Sequence, residues 1–340
     1  MIKNVLNTIK IYIKNLLLRS KHHKIPFFKG LLLKIRGFKP EAYVQYDFKT
    51  YNKNEFITNV QRWKSRRING KGNEILDNKS LFYENFNSFV EIPKTILIAK
   101  NGNVFDLEGR ILNEEEIILV FKNYPKTIFK PNNGAGGINV LLFEFKNNNF
   151  YINSNLVNND DFFNVIKTYA EYILTEFVEQ HEYARNLYEH TTNTIRIVTT
   201  KLKNDGVIIP LAMHRVGTSK TVPVDNASFG GLFSMIDVKT GVLSVAKSYT
   251  TSSNYLLHPE SNNNISGVVV PRWEEIKNEI LKVANSFKEI PFMSWDIVVT
   301  NNSFVVLEIN GSTGLDFIQM FEPQKNKALG IFFKERGIIK

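Results

Sequence analysis

The sequence predicts an α+β protein in which two α+β subdomains follow a helical N-terminal region. Three observations lead to this prediction. A hairpin pattern at residues 295–317 places acidic and amide side chains at one end of an apolar ladder. A glycine-rich stretch at residues 130–144 joins two strand-like runs. Around both, apolar runs typical of strands alternate with helical patterns. The predicted boundaries are 1–40 for a basic arm, 41–93 for a helical region, 94–185 for a small subdomain and 186–340 for a large one.

The basic arm has helical periodicity in its first half. One helical face collects seven apolar residues: Ile2, Val5, Leu6, Ile9, Ile13, Leu16 and Leu17. A second apolar and basic piece follows at residues 27–38. The arm holds ten Lys/Arg residues and no acid, so the net charge of +10 lies entirely within it. Two interpretations stay open. The apolar face lies on an anionic membrane surface or an acidic partner, or it packs on the body and leaves the lysines in water.

The helical region, residues 41–93, shows two helical patterns. The first covers residues 53–68, and the second begins near Lys79. Asp77 or Asn78 is the expected N-cap of the second helix, because short polar side chains accept the free N–H groups of a first turn. Pro93 ends the connection to the first strand.

The small subdomain begins with a strand at residues 95–99, an Asn-Gly-Asn turn and a partner strand. A helix with acids in its first turn opens at 113–116, and a strand at 127–130 leads into KPNNGAGGINVLLFE. The glycines let backbone N–H groups approach an anion closely. No Lys-Ser/Thr pair and no helix follow them, so this is not a Walker loop. A helix at 159–169 and a strand at 172–178, which carries Glu176, complete this part.

The large subdomain is rich in strands, predicted at residues 192–202, 207–216, 232–236 and 242–246, with the polar loop VDNASFGG at 224–231. An amphipathic helix at 272–288 precedes the closing hairpin. Arg196, His214 and Arg215 lie within apolar strands. Since buried charges need partners, the arginines either pair with acids or face a cleft and meet an anion. His214 is interpreted as an ordinary strand histidine without a role.

The closing hairpin consists of apolar runs at residues 297–300 and 304–309 around an Asn-Asn-Ser turn. Asp296 is predicted to open the first strand. Glu308 and Asn310 are two residues apart and therefore point to the same face. Mg²⁺ usually takes one or two carboxylates together with nucleotide phosphates. The hairpin therefore predicts a magnesium site.

Composition limits the function classes. With 43% apolar and 22% charged residues, the chain is typical of a soluble globular protein. The absence of cysteine excludes disulfides, thiolate metal sites and a cysteine nucleophile. No apolar run approaches the ~20 residues that span a bilayer, and no signal-peptide cleavage pattern is evident. The arm lacks the interleaved aromatics of single-strand binders, so no nucleic-acid partner is expected. We expect a cytoplasmic protein, or one peripheral at the inner membrane face.

Taken together, these stretches resemble the ATP-grasp superfamily, and most closely the sugar-transfer-associated ATP-grasp family found among genes for surface polysaccharide synthesis. The resemblance covers roughly residues 78–323. It is carried by LDNKSLF, IFKPNNGAGGINV, ILTEFVEQH, NTIRIVT, HRVG, VDNASFGG, the helix after VVVPRW, and SWDIVV…VLEINGSTGLDFIQ. The order and spacing of these stretches are more specific than any one of them. Gly314-Leu315 stands where some relatives have a proline, a departure that concerns the acceptor pocket and not the metal site.

The resemblance implies an ATP-grasp fold with ATP held between the two subdomains, and Mg²⁺ as the metal. The implied nucleotide-binding residues are Lys79, Lys130, Asn133, Gly134, Gly136, Gly137, Glu176, Phe177 and Val178, with Glu179 or Glu182 on the ribose. The implied metal ligands are Asp296, Glu308 and Asn310, and the implied catalytic residues are Arg215, Arg196 and Lys130. The polar loop is interpreted as a substrate contact through Asp225, Asn226, Gly230 and Gly231, the alternative being a simple turn.

The function implied by the resemblance is that of an ATP-dependent carboxylate–amine ligase that acts through an acyl phosphate, on a surface polysaccharide or its precursor. Its partners would be small-molecule or glycan-linked carboxylate and amine substrates. Phosphoryl transfer needs positioning and charge neutralisation more than covalent help, which agrees with the residues found. The alternative is a phosphotransferase on the same fold. A nucleotide-binding scaffold without catalysis is disfavoured, because the Asp296, Glu308 and Asn310 set is intact.

Overall fold

The computed structural model describes residues 2–134 and 136–340, with side chains described from Leu6 onward. Helices and strands are mixed along the chain, which confirms the α+β class. The helices are α1 (Ile2–Leu16), α2 (Phe27–Ile35), α3 (Ala42–Gln45), α4 (Asn59–Ser65), α5 (Gly72–Asp77), α6 (Lys79–Phe86), α7 (Glu114–Asn123), α8 (Asn159–Thr168), α9 (Glu182–Leu187), α10 (Trp273–Ser286), α11 (Leu315–Ile318) and α12 (Ala328–Glu335). None of the helices described combines the length and apolar character needed to cross a membrane.

The strands form two sheets. They are β1 (Thr95–Lys100), β2 (Asn103–Phe105), β3 (Lys126–Pro131), β4 (Leu141–Lys146), β5 (Asn149–Ile152), β6 (Asn155–Val157), β7 (Glu171–Glu176), β8 (Ile195–Leu202), β9 (Gly206–Val216), β10 (Leu232–Ile236), β11 (Ala246–Ser248), β12 (Asn254–Tyr255), β13 (Phe292–Val299) and β14 (Phe304–Asn310). The strand order is β2-β1-β7-β3-β4-β5-β6 in the first sheet and β12-β11-β10-β9-β8-β13-β14 in the second. Neighbouring strands run antiparallel in both sheets.

The first sheet packs its core against α7 and α8. Phenylalanines from the strands and from both helices fill this layer, with Phe150 and Phe162 stacked at a centroid distance of 3.8 Å. The turn between β1 and β2 has Asn101 and Gly102 at positive φ, the conformation for which an Asn-Gly pair is favoured. Asn113 begins α7 with a capping box, which confirms the predicted helix start.

The second sheet is covered on both faces. Met293, Trp295 and Ile297 on β13 belong to the same core cluster as α10, while Phe292 belongs to the cluster of α12. Side chains alternate along a strand, so Asp296 lies on the face opposite to α10. The packing of the second sheet thus determines on which face of β13 the Asp296 carboxylate lies.

The N-terminal helices lie against the second sheet. Asn69, between α4 and α5, donates from Nδ2 to the Phe292 carbonyl at 2.8 Å, and Lys39 forms a partly buried salt bridge with Asp316. Asn78 caps α6 by accepting the Leu81 N–H at 3.0 Å, which confirms the predicted cap. Lys79 is therefore the first residue of a helix whose start is fixed.

Three element predictions need correction. The single helix predicted at 53–68 is wrong, because Phe56 and Ile57 are buried in an extended segment and Thr58 caps α4. The strand predicted at 242–246 is also wrong, since only isolated bridges precede β11. Asp296 does not open its strand. β13 begins at Phe292, because residues 292–295 are themselves buried between helices.

Candidate functional site

A cavity of about 380 Å³ lies between the two sheets, with the C-terminal end of α4 at its rim. Loops and strands from both sheets contribute its walls. Most of the predicted site residues line it: Lys79, Lys130, Gly134, Gly136, Gly137, Glu176, Phe177, Val178, Arg196, Arg215, Asp225, Asn226, Asp296, Glu308 and Asn310. The fold therefore brings together groups that lie more than 200 residues apart in the chain.

The glycine-rich loop closes one side of the cavity. Gly134, Gly136 and Gly137 all have positive φ, a conformation that residues with a Cβ rarely adopt. The Gly134 carbonyl accepts from Lys79 Nζ at 3.1 Å, and the Asn226 side-chain amide donates to the Gly136 carbonyl. The loop thus reaches from the first sheet to the polar loop of the second.

Two half-buried lysines face this loop. Burial and the positive charge of Lys79 together lower the pKa of Lys130 to about 8, and Glu308 opposes the shift. Burial lowers the pKa of Lys79 as well, against the opposing effects of Glu308 and Asp77. Neither lysine forms a salt bridge within the described part of the chain. Both remain available to an anion bound in the cavity.

Glu308 is the carboxylate that faces these lysines. It lies opposite Asp296 in the register of β13 and β14, and Asn310 donates to its Oε1 at 3.1 Å. Burial raises the pKa of Glu308, and the negative charge of Asp296 raises it further. A bound cation would relieve both effects.

Asp296 is held by two arginines. Arg196 donates from Nε and Nη2 to its two oxygens at 2.7 and 2.6 Å, and Arg215 Nη2 lies 3.1 Å from Oδ2. Burial alone would raise the pKa of Asp296, but the arginines hold it at about 2. This geometry makes Asp296 the anchor of the two arginines.

A second carboxylate, Asp225, fixes Arg215 from the other side. Its Oδ2 accepts from the Thr194 N–H at 2.7 Å and from Thr194 Oγ1 at 2.6 Å. Arg215 in turn donates to Thr194 Oγ1, and its Nε lies 3.5 Å from Asp225 Oδ1. Asp225 was predicted to touch substrate. In the structure it is 5% exposed, and both of its oxygens are engaged by protein groups, so it positions Arg215.

Part of the cavity wall is apolar. Its walls include Ile128, Val140, Met213 and Leu307, and the edge of β7 continues past it through Glu176 and Phe177 to Val178. The N–H of Val178 has no hydrogen-bond partner among the described residues. An apolar slot beside a free backbone donor suits a flat heterocycle such as adenine.

Five predicted residues lie outside the cavity. Asn133 turns toward Asn78 and Glu171, and Glu179 is exposed beside Lys126. Glu182 begins α9 on the surface. Gly230 and Gly231 form the end of the polar loop, where it turns into β10. Gly230 has φ +119°, and a Cβ on Gly231 would lie 2.8 Å from the Asp225 carbonyl.

Sequence reasoning missed two groups at the rim, Arg62 and Arg66. Arg62 lies within α4 and Arg66 directly follows it. Because they are four residues apart, both point to the same side of the helix. Arg62 Nε donates to the Thr313 carbonyl at 3.1 Å. Burial lowers the pKa of Arg66, and so does the charge of Arg62. The basic run RWKSRR at residues 62–67 was visible in the sequence, but nothing local showed that two of its arginines face a cavity.

His214 agrees with its interpretation as a structural residue. It is fully buried, and burial lowers its pKa to about 4. Its Nδ1 lies 2.9 Å from the Arg215 carbonyl and its Nε2 lies 3.0 Å from the Tyr183 hydroxyl. Nδ1 therefore carries the proton and Nε2 accepts from the tyrosine, which leaves no free nitrogen for proton transfer.

The donor set fits Mg²⁺. No group of three or more His, Cys, Asp or Glu side chains that could hold a metal occurs among the described residues. A metal at the hairpin would therefore rely on Glu308, the amide oxygen of Asn310, a carboxylate oxygen of Asp296, and oxygens from a bound phosphate. Magnesium commonly binds through one or two carboxylates and substrate phosphates.

Comparison with known proteins gives a family match. The model of the family described as sugar-transfer associated ATP-grasp matches residues 60–327. No curated protein matches the chain.

Similarity to solved structures is distant. N5-carboxyaminoimidazole ribonucleotide synthetase, in its ADP complex, has a TM-score of 0.41 at 6% identity, covering 71% of this chain and 46% of that chain. The ATP-grasp ligase PsnB with minimal precursor has a TM-score of 0.40 at 11% identity, covering 79% and 63%. D-alanine–D-alanine ligase from Helicobacter pylori has a TM-score of 0.41 at 12% identity, covering 76% and 61%. The chain spans less than two thirds of the length of each.

Proposed function

The chain belongs to the sugar-transfer associated ATP-grasp family, and from that premise we propose that it is an ATP-dependent carboxylate–amine ligase. A carboxylate oxygen of the acceptor attacks the γ-phosphorus of ATP, and the bond to ADP breaks. An amine then attacks the acyl phosphate carbon, phosphate leaves, and the nitrogen loses a proton. We further propose that the carboxylate or the amine is part of a surface polysaccharide or its precursor, in agreement with the family description.

The observation that carries this proposal is the separation of charges in the cavity. Lys79 and Lys130 face the glycine-rich loop, and neither forms a salt bridge among the described residues, although Glu308 lies across from both. The arginines beside Asp296, in contrast, are paired with carboxylates. A polyphosphate supplies the charge that the lysines lack. The apolar slot at residues 176–178 accepts the base.

The residues of this chain then have distinct roles. Lys79, Lys130 and the backbone of the glycine-rich loop bind the phosphates. Arg215, held by Asp225 and Asp296, keeps a fixed positive charge beside the transferred group; burial opposes that charge, but the surrounding carboxylates raise the pKa of Arg215. Glu308 and Asn310 would hold Mg²⁺, which when bound neutralises negative charge on the phosphates.

Arg62 and Arg66 are assigned to the carboxylate substrate. They line the cavity together with Ser312 and Thr313, which follow the hairpin, and Arg62 donates to the Thr313 carbonyl. Neither arginine forms an ion pair with an acid among the described residues. Arginine binds carboxylates through two parallel N–H groups, so the pair suits an acceptor with one or two acidic groups.

The test is product analysis. The protein is incubated with ATP and Mg²⁺ and with pools of amino acids and sugar acids, and ADP, free phosphate and amide are measured separately. A ligase releases ADP and phosphate in equal amounts and only when carboxylate and amine are both present. Hydroxylamine should trap the acyl phosphate as a hydroxamate. A stable phosphorylated product without amide would contradict the ligase proposal and support the phosphotransferase alternative.

A further inference from the structure

The first helix presents its most apolar stripe to solvent. Five large apolar side chains on or just after α1 are exposed: Leu6, Ile9, Ile13, Leu16 and Leu17. At 3.6 residues per turn they fall within an arc of about 100°. A helix that packs its apolar face on a protein core would bury such a stripe. Here the stripe remains uncovered by the described residues.

The opposite face of α1 makes the packing contacts, and its buried anchor is polar. Asn15 is fully buried and donates from Nδ2 to the carbonyls of Lys34 and Phe38, each at 3.1 Å. Its Oδ1 accepts from the Asn59 side chain on α4 at 3.0 Å. Tyr12 donates to the Ile35 carbonyl. These directional contacts fix the rotation of α1, so the outward stripe is specified by the structure and is not a matter of loose packing.

The second helix extends the same surface. Phe27 and Phe28 are 75% and 76% exposed, and Leu32 and Ile35 on the same helix are also exposed. Lys34 Nζ donates to the Leu16 carbonyl at 2.8 Å, which holds the two helices together. Single exposed apolar residues are ordinary on protein surfaces, but a cluster of this size marks an interaction site. We name the surface formed by these nine side chains of α1 and α2 the apolar face.

The positive charge around the apolar face indicates what kind of partner binds there. Residues 1–40 contain ten lysines and arginines and no acid. Two copies of this chain joined through the apolar face would bring two such sets together, which is repulsive. Exposed Lys10 lies beside the apolar stripe of α1, and exposed Lys29 and Arg36 lie among the exposed apolar residues of α2. Apolar side chains bordered by cations match the boundary between acyl chains and anionic headgroups.

We propose that the apolar face binds an anionic membrane surface, with α1 and α2 lying in the plane of the interface. Leu17, Phe27 and Phe28 insert among the acyl chains, and the surrounding lysines contact the lipid phosphates. This inference does not depend on the reaction that the cavity performs.

Vesicle co-sedimentation of the full chain tests the proposal. Vesicles of phosphatidylcholine alone are compared with vesicles of equal parts phosphatidylcholine and phosphatidylglycerol, at low and at high salt. The expected result is sedimentation with the anionic vesicles, weaker at high salt because the charges are screened. The double variant Leu17→Glu, Phe28→Glu should lower the partition coefficient at least tenfold. The matched control Leu156→Glu, Leu256→Glu changes the net charge equally at sites that are 63% and 62% exposed elsewhere, and should bind like the unmodified chain.

Several results would overturn the proposal. They are no binding by the unmodified chain, equal binding to neutral vesicles, or equal loss of binding in both double variants. Sedimentation velocity provides a further check. A concentration-dependent dimer that Leu17→Glu, Phe28→Glu abolishes would make the apolar face an interface between copies. All substituted positions are exposed, so circular dichroism should show unchanged folding in both variants.

Discussion

We predict that ATP binding depends on pH in a range where ordinary lysines do not titrate, because the pKa of Lys130 is lowered. Burial and the charge of Lys79 lower this pKa from 10.5 to about 8. Below about pH 8 the Lys130 side chain is a cation that contributes to phosphate binding, and the contribution is lost as pH rises above 8. One proton is then taken up with each ATP bound. The affinity should therefore fall by up to tenfold for each pH unit above 8, about 1.4 kcal/mol per unit.

Calorimetric titration with ATP and Mg²⁺, without acceptor, measures this dependence between pH 7 and pH 10. Lys130→Arg keeps a charge throughout this range and should flatten the profile. Lys79→Met should weaken binding at pH 7 by about 1.5–3 kcal/mol, the cost of a lost charge-assisted hydrogen bond. It also removes a neighbouring positive charge, so the pKa of Lys130 rises and the fall in affinity begins at higher pH. The exposed Lys122→Met serves as the control and should change neither quantity.

A flat profile for the unmodified protein up to pH 10 would refute the lowered pKa. A fall that persists unchanged in Lys130→Arg would assign the titration to another group. Unchanged ATP affinity in both Lys79→Met and Lys130→Met would remove the two lysines from the nucleotide site altogether.

Three further predictions concern the rest of the cavity. Glu308→Gln should abolish ATP turnover and raise the melting temperature. The pKa of Glu308 is higher in the folded protein than its ordinary value of 4.5, so ionisation of this carboxyl opposes folding and the neutral amide removes that cost. Near-normal turnover in the folded variant would exclude Glu308 as a metal ligand. Arg62→Gln and Arg66→Gln should leave ATP affinity unchanged and raise the KM for the carboxylate substrate by about tenfold or more. The KM is measured by ADP release once that substrate is known, and an unchanged KM would exclude the pair from the acceptor site. Asp225→Asn should lower the free energy of unfolding by about 3 kcal/mol in urea denaturation, since it leaves Arg215 with one buried partner fewer; an unchanged midpoint would contradict that role.

The features that the sequence predicted well are local. The Asn78 cap depends on a side chain and a backbone N–H three residues later, and the Asn101-Gly102 turn depends on two adjacent residues at positive φ. The pairing of Asp296 with Glu308 follows from the hairpin. Such contacts involve few residues close in the chain, so pattern and spacing are sufficient to find them.

The features that it missed depend on distant contacts. The sequence left open whether Arg196 and Arg215 pair with acids or meet an anion. It could not show that Asp296, about 100 and 80 residues away along the chain, is the acid that both contact. Gly230 and Gly231 seemed suited to substrate, but they are required by the path of the backbone behind Asp225. Whether Glu179 or Glu182 reaches the cavity depends on where the chain turns after β7, and neither does. No local pattern contains this information.

The helix α4 connects the apolar face to the cavity. Asn59 in its first turn donates to Asn15, the buried anchor of α1, and Arg62 one turn later donates to the Thr313 carbonyl at the rim. Two hydrogen bonds made one helical turn apart on this short helix therefore fix the orientation of the exposed stripe relative to the rim of the cavity. If the apolar face lies on a membrane, the rim with Arg62 and Arg66 is held at a constant height above the lipid, where an acceptor attached to the same membrane would have to arrive. Asn59→Ala tests the connection. It leaves Asn15 Oδ1 without its donor, and it should loosen α1 and weaken vesicle binding while leaving the affinity for ATP unchanged.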